Sequence, residues 1–248
     1  MVGTFKIITM ATSIEEKIID IENDHFYDSG SVNVDGSVLK CWKAGGHGDQ
    51  TFLQVLQNSC NPGFVKLGQM LGKEKLFSYI EKFGFGNKTG VDLNGEGQGI
   101  IFPLDKVGNV ELSTTAFGQG VSVTPIQQVT AVSAVVNNGY LYKPYIVKSI
   151  AEKETNTIIK ETEKNLVRKV ISNETSAIMR HALESVVAKG GGKAAYIEGY
   201  RVGGKTGTAQ KVQNGRYLVG NYIMSFMAVV PSNDPEAVLY LAIDNPKN

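Results

Sequence analysis

Three short stretches of this 248-residue sequence carry side chains whose types and spacing could do chemistry. Lys6 stands in an apolar run, Thr4-Phe5-Lys6-Ile7-Ile8-Thr9. Ser59-Cys60-Asn61 precedes Pro62. Lys205-Thr206-Gly207-Thr208 lies near the end. Singly, each has a plain reading: a lysine on an apolar helix snorkels to solvent, a serine or asparagine before proline caps a helix, and threonines in a strand are ordinary strand residues. A longer pattern is more tempting. Residues 199–206 match G-x-x-x-x-G-K-[ST], the phosphate-binding loop, and residues 238–243 before Asp244 imitate the strand and acid that hold magnesium. Such a loop must follow a buried strand and open a helix, so that amides face phosphate. Here the upstream residues include Gly191, Gly192, Lys193 and Glu198, and the downstream run ends in Gln213-Asn214-Gly215, a hairpin-turn composition. Nucleotide binding is therefore not expected.

The remaining reactive side chains have bland readings. His47 sits in a glycine-rich loop without the cysteine or carboxylate spacing of a metal site, so it reads as loop structure and no metal is expected. Cys41 and Cys60 are too few for a disulfide scaffold. They read as two buried free thiols, with a single disulfide as the alternative. Asp28 and Asp49 read as turn or capping residues.

The elements that must position these residues follow from periodicity and punctuation. A helix is expected almost from Met1. Residues 22–50, with Gly30, Gly36, Gly45, Gly46 and Gly48, read as loop. Phe52, Val55 and Leu56 share a helical face; Pro62 opens a second helix that Gly72 closes, and Leu76, Tyr79, Ile80 and Phe83 mark a third. Residues 84–121 read as glycine-rich loops with short extended pieces. Thr124-Pro125 starts a helix that stops before Asn138-Gly139. Residues 141–150 and 157–170 read as a ribbon. Ser172 or Asn173 then caps a helix whose rows are Ile178, Ala182, Val186 and Met179, Leu183, Val187. Three strands close the chain, around Thr206, over 217–230 and over 237–243. Their links are too short for helical crossovers, so they are expected to be antiparallel. Helices first and strands last give an α+β class.

Composition bounds the function. Apolar residues make up 42% and charged residues 20%, enough for a core and against disorder. Lys+Arg total 25 and Asp+Glu 24, a net charge of +1 that speaks against nucleic acid as a partner. The longest apolar runs, 223–231 and 238–243, are too short to cross a bilayer as a helix, and no signal-peptide pattern follows Met1. No repeat is visible.

The three stretches, taken in order, resemble the S-x-x-K lysine, S-x-N and K-T-G-T motifs of penicillin-binding proteins and serine β-lactamases. Longer stretches place the resemblance among class B penicillin-binding proteins of the sporulation-specific type: 41–48 around Trp42, Thr115-Ala116-Phe117-Gly118-Gln119-Gly120, Val123-Thr124-Pro125 and Ile243-Asp244-Asn245-Pro246. It covers essentially the whole chain, so residues 1–248 are expected to form one partial transpeptidase domain. The fold it implies is the penicillin-binding protein/serine β-lactamase type, an antiparallel sheet with helices, truncated at both ends. The family's membrane anchor, pedestal region, first sheet strands and terminal helix are expected to lie outside this chain. Its full-length members are anchored with this domain on the outer face of the cytoplasmic membrane.

The resemblance implies D,D-transpeptidation of peptidoglycan stem peptides ending in D-alanyl-D-alanine, with no cofactor. It implies β-lactams as ligands and a glycosyltransferase as a partner of the full-length protein. Lys6 takes the place of the family's general base, i+3 from the nucleophile and on the same helix face. Ser59 relays a proton to the leaving amine, and Asn61 holds the substrate amide. Lys205 adds positive potential beside the site. Gly207 lets substrate backbone approach the strand edge, and the Thr208 N–H supplies an oxyanion donor. Thr206 belongs to the same substrate-binding strand, with its side chain expected to face away into the sheet packing. The departure is at position 3, where the family has serine and this chain has Gly3. Thr4 is only two residues from Lys6 and does not face it on a helix. The chain is therefore expected to be inactive in acyl transfer. A non-catalytic binding module and a β-lactamase-like hydrolase are the alternatives.

Overall fold

The computed structural model describes residues 2–213 and 216–247; the turn expected at Asn214-Gly215 lies outside them. Helix α1 (Val2–Glu15) is the central element. Phe5, Ile7, Ile8, Met10 and Ala11 are all fully buried, which places apolar side chains on every face, the mark of a helix enclosed by its neighbours. Its polar residues are reconciled with burial by backbone acceptors. Thr9 Oγ1 donates to the Ala116 carbonyl at 2.7 Å, and Thr12 and Ser13 donate to Ile8 and Thr9 carbonyls at 2.9 Å.

Residues 22–50 are not simply loop. They form β1 (His25–Asp28), β2 (Ser31–Val34), β3 (Ser37–Lys40) and β4 (Gly48–Thr51). β1 pairs antiparallel with β4, and β2 with β3. Each strand has four residues, too few for a readable alternation. Thr51 caps α2 (Phe52–Gln57), exchanging hydrogen bonds with Gln54 in both directions. The two expected helices 64–71 and 73–83 share one element, α3 (Asn61–Lys82), kinked at Gly72, whose φ of 74° and ψ of 162° leave the helical region. A helix the sequence reading missed, α4 (Asn109–Ala116), packs against α3 where Gly68 gives Ala116 room. Thr124 caps α5 (Pro125–Val136) as expected.

The expected ribbon is two nested ladders. β5 (Tyr140–Tyr142) pairs with β8 (Leu166–Lys169), and β6 (Ser149–Ala151) with β7 (Ile158–Glu161). α6 (Asn173–Lys189) follows its Ser172 cap; Met179, Ala182, Leu183, Val186 and Val187 form its buried face. The final sheet is β9 (Gly203–Gln213), β10 (Arg216–Val230) and β11 (Ala237–Asp244), antiparallel in the order β11-β10-β9. No helix opens at Lys205, which removes the phosphate-loop reading. α1 lies against β9, with α3, α5 and α6 packed around it. Among the described residues, no helix is long and apolar enough to cross a membrane.

Candidate active site

Three elements deliver the three motifs to one cavity of about 250 Å³. α1 brings Gly3 and Lys6. The α2–α3 junction brings Ser59 and Asn61. β9 brings Thr206 and Thr208. The junction is tight: Asn58 ends α2, Cys60 precedes the first turn of α3, and Ser59 between them has φ of +53°. That left-handed conformation is uncommon for serine and turns its hydroxyl toward both lysines.

Ser59 Oγ lies 3.1 Å from Lys6 Nζ and 2.8 Å from Lys205 Nζ. Lys6 Nζ also reaches the Ser59 carbonyl at 2.8 Å and Asn61 Oδ1 at 2.6 Å, and Lys205 Nζ reaches the Thr206 carbonyl at 3.0 Å. Lys6 is 2% exposed and Lys205 fully buried, so these polar contacts replace water. Burial drives the Lys6 pKa down from 10.5 to about 7. Burial, with the Lys6 ammonium beside it, holds Lys205 well below the ordinary lysine range. A neutral Lys6 has two N–H bonds and one lone pair. Its N–H bonds fit the Ser59 carbonyl and Asn61 Oδ1, leaving the lone pair for the Ser59 hydroxyl proton. The Ser59 oxygen then accepts from Lys205. The trio is a continuous hydrogen-bonded chain between two amines.

Other positions depart from expectation. Thr206 does not face away into the sheet packing; it lines the cavity with Thr208, because residues two apart on a strand share a face. Lys205 starts from the opposite face and reaches Ser59 through its long stem. The Cβ that Gly207 lacks would stand 2.6 Å from Ser225 Oγ and 3.2 Å from the Gly3 and Thr4 nitrogens, so glycine is required there by the start of α1. Asn61 Nδ2 donates to the Lys40 carbonyl at 3.2 Å, tying its amide into the wall. Thr4 is fully buried and its hydroxyl has no partner among the described residues. Trp42, Asn58 and Gly191 complete the lining, and none of them was singled out from sequence as a site residue. Trp42 is the largest, anchored by its indole N–H to the Asn58 carbonyl at 2.7 Å; its signal in the sequence is its place in the family-like stretch 41–48. A larger cavity, about 450 Å³ between Lys143, Tyr145 and Lys160, gathers no comparable set of groups, so size does not locate the chemistry.

Similarity to known proteins agrees with this geometry. Residues 3–248 match the family described as the penicillin binding protein transpeptidase domain. Stage V sporulation protein D of Bacillus subtilis is 62% identical over 245 residues, covering 99% of this chain and 38% of that protein. The crystal structure of penicillin binding protein 3 from Mycobacterium tuberculosis superposes with a TM-score of 0.90 at 28% identity, over 98% of this chain and 56% of that one. The D,D-transpeptidase domain of an Eggerthella lenta peptidoglycan glycosyltransferase gives 0.87 at 25% identity, over 98% and 60%. The chain thus spans less than two thirds of each of these relatives. By motif order, site geometry and overall similarity, it belongs to the penicillin binding protein transpeptidase family.

Proposed function

We propose that this chain is the stem-peptide-binding transpeptidase domain of a sporulation or cell-division peptidoglycan synthase, and that it does not acylate as written. The observation that carries this reading is the Lys6–Ser59–Lys205 path opening on a cavity where Gly3 offers no hydroxyl. In the family reaction, the serine oxygen attacks the penultimate D-alanine carbonyl and its proton passes to the neutral lysine. The leaving D-alanine amine takes a proton through the second serine. Lys6, near pKa 7, is poised for the first step, and Ser59 bridges the amines for the second. Backbone N–H groups at position 3 and Thr208 flank the place of the developing oxyanion. The Thr206 and Thr208 hydroxyls, with Lys205 behind them, suit a terminal carboxylate. The full-length protein would present this domain outside the cytoplasmic membrane, beside a glycosyltransferase partner.

Without an atom to acylate at position 3, these groups bind and orient only. The chain should hold a soluble peptide ending in D-alanyl-D-alanine, read by ligand-observed NMR, and ignore the L-alanyl-L-alanine isomer. Incubated with a fluorescent penicillin and denatured, it should retain no label by mass spectrometry. Stoichiometric covalent label on the unmodified chain would overturn the non-acylating reading; equal indifference to both peptides would overturn the substrate assignment.

A further inference from the structure

Behind the active-site turn lies a second cluster that the transpeptidase chemistry does not use. Asp28 ends β1, Cys41 follows β3, His47 precedes β4, and Cys60 sits between Ser59 and Asn61. One potential ligand atom from each lies within 4.8 Å of every other. His47 Nδ1 is 2.9 Å from Asp28 Oδ2 and 3.3 Å from Cys41 Sγ; Cys60 Sγ is 3.3 Å from Asp28 Oδ2. Asp28 and Cys60 are buried and Cys41 and His47 are half-buried, which leaves one side for entry.

We propose that Asp28, Cys41, His47 and Cys60 form a structural zinc site that clamps the back of the Ser59–Asn61 turn. Two thiolates, one imidazole and one carboxylate are the donor set of a closed four-coordinate Zn²⁺ site. Bond lengths to sulfur, nitrogen and oxygen make tetrahedral edges of about 3.3–3.8 Å, so the observed separations require ligand movements of no more than about 1 Å. The carboxylate is already oriented by backbone. Gly30 N–H donates to Asp28 Oδ1 at 2.8 Å and His47 N–H to Oδ2 at 3.0 Å, an outer shell of the kind that fixes a ligating carboxylate. Three donors crowd Oδ2, the His47 amide, the His47 ring and the Cys60 thiol. A cation takes the place of the ring and thiol hydrogens and relieves that crowding. Binding converts two thiols to thiolates and releases their protons to solvent, with no electron transferred.

The site would act on the active cavity through chain neighbours. Cys60 holds the strained Ser59 turn from behind, and Cys41 precedes cavity-lining Trp42, whose indole packs edge-on to His47 with ring centroids 5.4 Å apart. The 248-residue chain, stripped with a chelator under reducing conditions, is titrated with Co²⁺ as a spectroscopic substitute. One equivalent should bind, giving the intense visible bands of tetrahedral cobalt and a near-ultraviolet thiolate band, and one equivalent of Zn²⁺ should abolish both. Cys41→Ser and Cys60→Ser should each lose about half of the thiolate band, since each removes one of two sulfur ligands. Zinc should also raise the unfolding midpoint of the unmodified chain, and raise that of folded Cys60→Ser by clearly less. Failure of the unmodified chain to bind one equivalent overturns the proposal whatever the variants do. So does a pale octahedral spectrum without a thiolate band, or a band that survives both substitutions.

Discussion

Replacing Gly3 by alanine or serine tests how tightly the start of α1 is laid on β9. A Cβ at position 3 would stand 2.6 Å from Gly207 Cα and closer still to the Thr206 carbonyl oxygen. Carbon atoms pack at about 3.5–4.0 Å, so the two backbones must separate by about 1 Å. Backbone cannot rotate out of the way as a side-chain tip can. Overpacking of this kind costs about 1–3 kcal/mol, which outweighs the few tenths that leaving glycine gains in a helix. For a domain of this size the midpoint should fall by about 2–4 °C per kcal/mol. Both variants carry the same Cβ, so both should fall together in a thermal melt. The serine form should acylate only as far as α1 moves off β9, giving slow, partial labelling by fluorescent penicillin; the alanine form should never label. An alanine variant as stable as the parent would refute the steric argument. Rapid stoichiometric labelling of Gly3→Ser would show that position 3 already has the space a nucleophile needs.

Stability should rise by about 1 kcal/mol between pH 7 and 8 from Lys6 alone, because the unfolded chain holds a proton there that the folded chain releases. Lys205, also depressed, adds in the same direction, while the raised thiols of Cys41 and Cys60 oppose it only at higher pH. Denaturant unfolding across that window checks the slope, and Lys6→Met should reduce it, leaving the part that Lys205 contributes. Ser59→Ala leaves two buried amines without their shared partner and should cost about 1–3 kcal/mol. Ser59→Gly loses the same hydroxyl but relieves the positive φ, so it should be the more stable of the pair. Glu15→Gln should cost about 1–2 kcal/mol in the same assay, since that carboxylate accepts from the Ser172 amide and from the Ser172 and Thr175 hydroxyls, joining α1 to the cap of α6.

What could be read from sequence depended on how local the signal was. α5 and α6 announced themselves because Thr124 and Ser172 cap them and their apolar rows repeat. The three final strands were legible because short links leave no other arrangement. α4 was not: it has eight residues, starts after Gly108, and owes its place to Ala116 meeting Gly68 on α3. β1 to β4 are stabilised by pairing rather than by pattern, and their four-residue lengths carry no period. Strand alternation points Thr206 away only if Lys205, whose amine is at the cavity, also starts on the cavity face. Lys205 shows that a long stem reaches it from the other. Asp28, Cys41, His47 and Cys60 are separated by strands and turns, so no spacing rule joins them.

The Ser59–Asn61 turn is held from three sides. A two-helix junction is a soft place to hold a hydrogen-bonded chain of buried amines, and a serine with φ of +53° would relax unless its surroundings resist. Forward, two lysines hold its oxygen, and their own depressed basicity depends on the turn keeping water out. Backward, the next side chain, Cys60, is fixed to Asp28 on β1. Sideways, Asn61 is tied to the carbonyl of Lys40 on β3. The short strands in the stretch that reads as loop thus anchor the Ser59 turn from two sides, while α1 and β9 supply the amines. Loss of any one tether should shift the Lys6 titration as well as the stability. A merely structural role for the strands would move stability and leave that titration where it is.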